Sequence, residues 1–204
     1  MHPNPAFRQT PTDRNLAFAR ARSFGLLAVN APDGPLISHI PFELSEDGAW
    51  LDLHLVRSNP IVRLLTLPQS VCLAVTGPEG YVSPDWYGVE DQVPTWNYVA
   101  VHLRGRLSLL SDAELRPLLD RLTAQFEARL LPKKPWTSNK MSSGVLERMM
   151  RMIAPCRMMI DDVQGTWKLS QNKSEAARLL AADGIEAAAL APEAAALAVL
   201  MRGV

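Results

Sequence analysis

The sequence predicts a mainly β protein with peripheral helices (α+β), its antiparallel strands closing or nearly closing into a barrel. Three observations carry this prediction. Short apolar runs alternate with turn-forming residues from Gly25 to Ser170. The clearest two-residue alternation, in Ala49–Val56 and Thr95–Leu110, is that of half-buried strands. The strands are not separated by regular helices, which disfavours a doubly wound parallel sheet.

The elements follow in order. Asp13 to Ser23 reads as a short helix with Leu16, Phe18, Ala19 and Ala21 on its apolar face, capped by Thr12 or Asp13. Gly25 to Asn30 reads as a strand, Ala31 to Pro35 as an Asp-Gly turn, and Leu36 to Leu44 as the returning strand. After a turn at Ser45–Gly48, Ala49 to Val56 puts Trp50, Asp52 and His54 on one face and Leu51, Leu53 and Leu55 on the other. Residues 25 to 56 are therefore expected to form a three-stranded meander. Pro60 suits the first position of a short helix reaching Leu65, with Ser58 or Asn59 as its cap.

Ser70 to Thr76 reads as an apolar strand, Gly77 to Gly80 as a turn and Tyr81 to Ser83 as another short strand. An aromatic and acidic loop, Pro84 to Pro94, precedes the long strand, with a bend expected at Gly105. Ser111 and Glu114 form a capping box for a helix to about Leu130, with Leu115, Leu118, Leu119, Leu122 and Phe126 as its stripe. A basic connection, Pro132 to Ser143, leads to a Met-rich helix at Gly144–Ile153. Strands at Arg157–Val163 and Thr166–Ser170 flank a turn at Gln164-Gly165. From Ser174 an Ala-rich helical stretch is expected to break at Asp183-Gly184 and Pro192. The expected organisation is a domain over residues 1–173 and a helical tail over 174–204.

Composition excludes several classes. The chain has 204 residues, and its 21 Lys+Arg balance its 21 Asp+Glu. That argues against a nucleic-acid binder relying on a global positive field. No run is apolar and long enough for a membrane span, and Met1–Thr12 lacks the apolar core of a signal peptide. Cys72 and Cys156 stand in apolar surroundings as two expected buried free thiols, which suits a cytoplasmic location. There is no P-loop, no dinucleotide fingerprint, no serine-hydrolase elbow and no metal-ligand motif. His39, His54 and His102 all fall on predicted strands.

Four segments are more polar or aromatic than a simple barrel needs. Ser38-His39-Ile40-Pro41-Phe42 places a proline in a strand, at an edge, a bulge or a ligand-facing site. In His54–Pro60 a strand runs into a helix start with Arg57 at the junction, either a phosphate seat or simple capping. Residues 81 to 98 hold five aromatics (Tyr81, Trp86, Tyr87, Trp96 and Tyr98), suited to stacking on a planar ligand, to an interface or to a loop plug. The last is Trp167-Lys168-Leu169-Ser170-Gln171-Asn172-Lys173, with two cations among amides and hydroxyls.

The order S-H-x-P-F, H-L-x-R-x-N-P, Y-x-S-P-x-W-Y, V-P-T-W-N-Y-x-x-V-H and K-L-S-Q-N-K resembles the PaiB-type FMN-binding negative transcriptional regulators of the flavin-binding split-barrel superfamily. The matches run from about Phe7 to Lys173, and VPTWNY and KLSQN are the specific ones. The resemblance implies a six-stranded Greek-key split β-barrel and a homodimer with FMN at its interface. It implies that Ser38, His39 and Pro41 run along the flavin ring and that Arg57, Ser58 and Asn59 hold the phosphate. Trp86, Trp96, Asn97, Tyr98, Lys168, Gln171 and Asn172 would close over the site. Related flavin oxidases carry an Arg-Lys pair at the phosphate seat, where this chain has Arg57-Ser58; Lys168 or Lys173 could compensate.

The resemblance implies an FMN-binding regulator. Its implied DNA binding has only Lys133, Lys134 and Lys140 as a local basic cluster, and no recognition-helix signature. The alternative on the same barrel is a flavin-dependent oxidoreductase acting on a small substrate, with His39 and His102 as candidate bases. A haem-binding relative is the third reading. The cluster of Met149, Met150, Met152, Met158 and Met159 reads either as core packing or as an interface.

Overall fold

A computed structural model describes residues 1–204. Its sheet has seven strands: β1 (Phe24–Val29), β2 (Leu36–Pro41), β3 (Glu43–Leu44), β4 (Trp50–Val56), β5 (Gln69–Val82), β6 (Thr95–Leu109) and β7 (Ile153–Lys168), in the order β2-β1-β5-β6-β7-β4-β3. The helices are α1 (Thr12–Arg22), α2 (Pro60–Leu64), α3 (Leu115–Glu127), α4 (Val145–Met150), α5 (Glu175–Ala188) and α6 (Ala194–Arg202). The mainly β architecture with edge helices is the predicted one. The strand count is seven rather than six, because the returning strand breaks at Phe42, just after Pro41, and leaves Glu43–Leu44 as a separate two-residue element.

Three local expectations are corrected. The meander forms in two pieces, because the returning strand is divided into β2 and β3. β2 pairs only with β1, in register Leu26↔His39 and Leu27↔Ser38, while β4 pairs with β3 and with β7. The expected turns at Gly77–Gly80 and Gln164-Gly165 are absent, because β5 and β7 run straight through them. Both glycines make room rather than turns. A Cβ on Gly77 would lie 2.5 Å from the Phe18 ring, and one on Gly165 would lie 2.1 Å from Asn15 Oδ1. The third correction is that α5 continues through Asp183-Gly184, where the Trp86 ring lies against the glycine; the break comes at Ala189, in the left-handed region at φ 47°.

The chain forms two compact units. The first comprises Met1–Phe18, Val75–His102 and Gln164–Val204. Its core joins Val82, Tyr87, Val99, Trp167 and Leu169 to Ala177, Ala181, Ile185, Leu197 and Met201. The small alanine faces let α5 and α6 approach closely, so the Ala-rich stretch is core-forming here. The second unit comprises Ala19–Ala74 and Leu103–Val163. Its buried residues include Leu27, Phe42, Leu51, Leu53, Ile61, Leu73, Leu103, Leu107, Leu118 and Met158.

One charged group is buried in that second unit. Asp52 is fully buried and accepts from Arg157 Nε and Nη2 (2.7 and 2.9 Å) and from Arg121 Nη2 (2.8 Å). The Arg157 guanidinium also lies over the Trp50 ring at 4.0 Å, and the Asp52 carboxylate pushes its pKa up. Two guanidiniums are what allow a carboxylate to sit there. Both cysteines are free; Cys156 is buried and Cys72 half-buried. Burial pushes the Cys156 thiol up to about 12, which makes it inert at neutral pH.

Candidate functional site

The expected site residues fall into two groups, one in each unit. In the second unit, Ser38, His39 and Pro41 lie on β2, an outer strand of the sheet, with His39 exposed and the other two half-buried. Asn59 caps α2 by accepting from the Ile61 N–H at 2.9 Å. Its Nδ2 donates to Ser38 Oγ at 2.8 Å, so the SHxP and RSNP segments form one polar cluster although they are 21 residues apart.

Arg57 and Ser58 are exposed just beyond the end of β4. The Arg57 N–H donates to Met152 O at 2.8 Å and Nε to Arg151 O at 3.1 Å, so both backbone and guanidinium are fixed in direction. Nη2 pairs with Asp112 at 2.5 Å. Asp112 was missed by sequence reasoning. The capping box at Ser111–Glu114 marks it as a helix-start acid, and nothing local marks a partner 55 residues away. Arg57 and Asp112 line a cleft of about 450 Å³ with Leu115 and Met150 as apolar wall.

This donor set fits a phosphate-bearing planar cofactor. Asp112 competes with it, but the Arg57–Asp112 pair is solvent-exposed and worth about 0–1 kcal/mol. A charge-assisted bond to a phosphate is worth roughly 1.5–3 kcal/mol, more than the exposed Arg57–Asp112 pair it would replace.

In the first unit the aromatic expectation splits across the strand. Trp96 and Tyr98 alternate with Asn97 on β6, and only Asn97 is fully buried. Tyr81 packs edge-on against Trp86 (6.4 Å) and Trp96 (6.3 Å), and Trp96 stays 54% exposed. Asn97 Nδ2 donates to Ser170 Oγ at 2.8 Å, and Ser170 Oγ also meets Tyr87 Oη at 3.1 Å. Asn97 Oδ1 has no partner. Lys168 Nζ donates to Thr95 Oγ1, and Lys173 Nζ to Gln92 Oε1. Burial pushes the Lys168 ammonium below its usual range. Asn97, Lys168 and the exposed Asn172 share a cavity of about 260 Å³ with Phe7, Tyr87, Ser170 and Lys173.

Gln171 has a different job. Its Nε2 donates to Ala6 O and Trp167 O, and its Oε1 accepts from the Leu169 N–H. The side chain is committed to backbone and positions the KLSQN segment. The histidines do not gather with other ligands; no three His, Cys, Asp or Glu side chains are grouped to hold a metal ion.

His54 carries a pH prediction. Burial pushes its imidazole below the ordinary 6.5, and Nδ1 is unpartnered. The folded chain therefore resists protonation that the unfolded chain accepts. Stability is complete above about pH 6.5 and falls as pH drops from there toward the folded-state value. Urea melts across neutral and mildly acidic pH should show this decline, and His54→Gln should flatten it.

Comparison with known proteins completes the picture. The family described as "Putative FMN-binding domain" matches residues 1–162. "Protease synthase and sporulation protein PAI 2" of Bacillus subtilis (strain 168) is 31% identical over 171 residues, covering 83% of this chain and 81% of that protein. Among solved structures, the FAD and heme binding protein of Mycobacterium smegmatis is similar, with a TM-score of 0.57 at 18% identity, covering 79% of this chain and 73% of that one. The flavocytochrome Anf3 of Azotobacter vinelandii is similar with a TM-score of 0.58 at 17% identity, covering 86% and 77%. At these identities the structural likenesses establish a shared fold.

Proposed function

The chain belongs to the PaiB-type FMN-binding family of flavin-binding split barrels, and on that premise we propose that it works as a homodimeric FMN-dependent regulator. Arg57, Ser58, Asn59 and Ser38 hold the phosphate and its adjoining chain, and the isoalloxazine runs along β2 past His39 and Pro41. The observation that carries this reading is the Asn59–Ser38 hydrogen bond, which makes one cluster of two motifs distant in sequence. FMN supplies the redox chemistry when bound. The protein's residues bind, orient and shield it.

Several features support a second copy as part of the site. Phe24 on β1 and Ile37 on β2 are about half exposed, as are Met149, Met152 and Met159 in the same unit. Such apolar surface favours association. The Tyr81–Trp86–Trp96 cluster, with Tyr98 beside it, offers an aromatic face suited to cover a flavin ring held by another copy.

The regulator role rests on the relation to the Bacillus protein. The local basic cluster is already partly neutralised, since Lys133 pairs with Glu127 at 2.5 Å. That weakens the case for a direct electrostatic grip on a duplex. The resemblance to the PaiB-type regulators, not any geometry on this chain, carries the regulatory half of the reading.

The test is flavin binding itself. Arg57→Ala should weaken FMN affinity by roughly ten- to hundredfold, the equivalent of one charge-assisted bond. Asp112→Asn should leave it unchanged or raise it a few-fold, because the competitor is removed. Fluorescence titration with FMN checks both; unchanged affinity in Arg57→Ala would refute the phosphate seat. Size-exclusion chromatography with light scattering should give a dimer.

A further inference from the structure

The first-unit cavity has a chemistry of its own. Two ammonium groups, Lys168 and Lys173, line it, and no aspartate or glutamate does. Their hydrogen bonds go to neutral oxygens, Thr95 Oγ1 and Gln92 Oε1. A partly buried cation without a carboxylate on the same wall is costly. Lys168 already shows that cost, since burial disfavours its charged form. An anion in the cavity would remove it.

The remaining walls set the ligand's shape. Phe7 and Tyr87 are both buried and present rings. Lys168 lies 5.9 Å from the Phe7 ring and Lys173 lies 5.3 Å from the Tyr87 ring, so each ammonium stands beside an aromatic face. The Ser170 and Tyr87 hydroxyls add neutral polar groups to the same wall. At about 30 Å³ per water-sized group, 260 Å³ accommodates roughly nine such groups. This is below the roughly 300–1,000 Å³ of pockets that enclose drug-sized ligands, so it is small for a whole flavin nucleotide. It matches a single aromatic ring bearing a carboxylate.

We propose that this cavity is a second ligand site that takes a small aromatic carboxylate, with its ring between Phe7 and Tyr87 and its carboxylate between Lys168 and Lys173. Its residues all lie in the first unit, whereas the proposed phosphate seat, Ser38 and Arg57 to Asn59, lies in the second.

The experiment titrates the FMN-loaded full chain with benzoate by calorimetry, with benzyl alcohol as the uncharged counterpart and inorganic phosphate as the anion without a ring. Benzoate should bind saturably at one site per chain. Benzyl alcohol and phosphate should each bind at least tenfold more weakly. Lys173→Gln, at a half-buried position, should weaken benzoate at least fivefold, and Lys168→Gln should do the same. Absence of saturable benzoate binding, or equal binding by the Lys168→Gln/Lys173→Gln double variant, would overturn the proposal. Release of FMN by benzoate would also overturn it, because the cavity would then belong to the flavin. FMN affinity is measured independently, so a chain that takes benzoate but no FMN would sink the flavin seat and leave this site standing.

Discussion

Asp52→Ala should destabilise the fold by about 1.5–3 kcal/mol, the range for charge-assisted hydrogen bonds, since Asp52 is buried while Arg157 and Arg121 keep part of their side chains in solvent. The carboxylate is fully buried and takes three hydrogen bonds from two guanidiniums. Without it, Arg157 and Arg121 face each other across an uncompensated site. Arg121 retains Glu43 at 2.7 Å, while Arg157 retains its stacking on Trp50 and the longer-range attraction of Glu43 and Glu114. The loss therefore concentrates on Arg157 and the β4–β7 ladder, where Asp52 and Arg157 stand directly opposite each other. Asp52→Asn should lose less, because an amide oxygen still accepts one guanidinium bond. Urea denaturation followed by far-ultraviolet circular dichroism measures both. A loss below about 1 kcal/mol for Asp52→Ala would mean the cluster contributes no more than an exposed surface pair.

The Asp52 cluster illustrates how far the sequence could be read. Alternation in residues 49–56 correctly separates Leu51, Leu53 and Leu55 from Trp50, Asp52 and His54. It does not say that the polar face is also covered. That depends on α3 bringing Arg121 and on β7 bringing Arg157, from 69 and 105 residues away. The same limit explains the divided meander. Turn chemistry at Ser45–Gly48 announces a reversal, and β3 and β4 do pair there. What it cannot announce is that β4's other neighbour is β7 rather than β2. Local signals fix turns; long-range pairing is fixed by which faces are left to bury.

The site was legible in a similar, partial way. The Asn59–Ser38 bond joins two motifs that were picked out separately for their unusual polarity. The KLSQN segment was picked out as a unit, yet its members diverge: Lys168 lines a cavity, while Gln171 braces backbone. Residue type alone does not separate a ligand from a brace, because an amide serves both. The cavity's aromatic walls were unreadable for a simpler reason. Phe7 lies in a proline-rich opening with no periodicity to assign it a face.

Glycine was the most misread residue, and Gly105→Ala follows from the reason. A glycine inside an apolar run signals either a bend or a close backbone approach, and the two look alike in sequence. Gly105 lies within β6, and a Cβ there would come 1.8 Å from Met159 O and 2.8 Å from Met159 C, both backbone atoms of β7. No rotamer change relieves that contact; the strands must separate. Overpacking a core typically costs about 1–3 kcal/mol when side chains can shift, and here only backbone can, so the expected loss is at least about 3 kcal/mol. The displacement would travel, since Met159 is paired with Trp50 and the same ladder runs on to Val56↔Ile153, one residue before Arg57. Gly105→Ala should therefore lower the urea midpoint and weaken FMN binding together, whereas Arg57→Ala should weaken FMN binding alone. A Gly105→Ala protein with unaltered stability would show that β6 and β7 can part at this point without loss, and that the glycine is there for some reason other than contact.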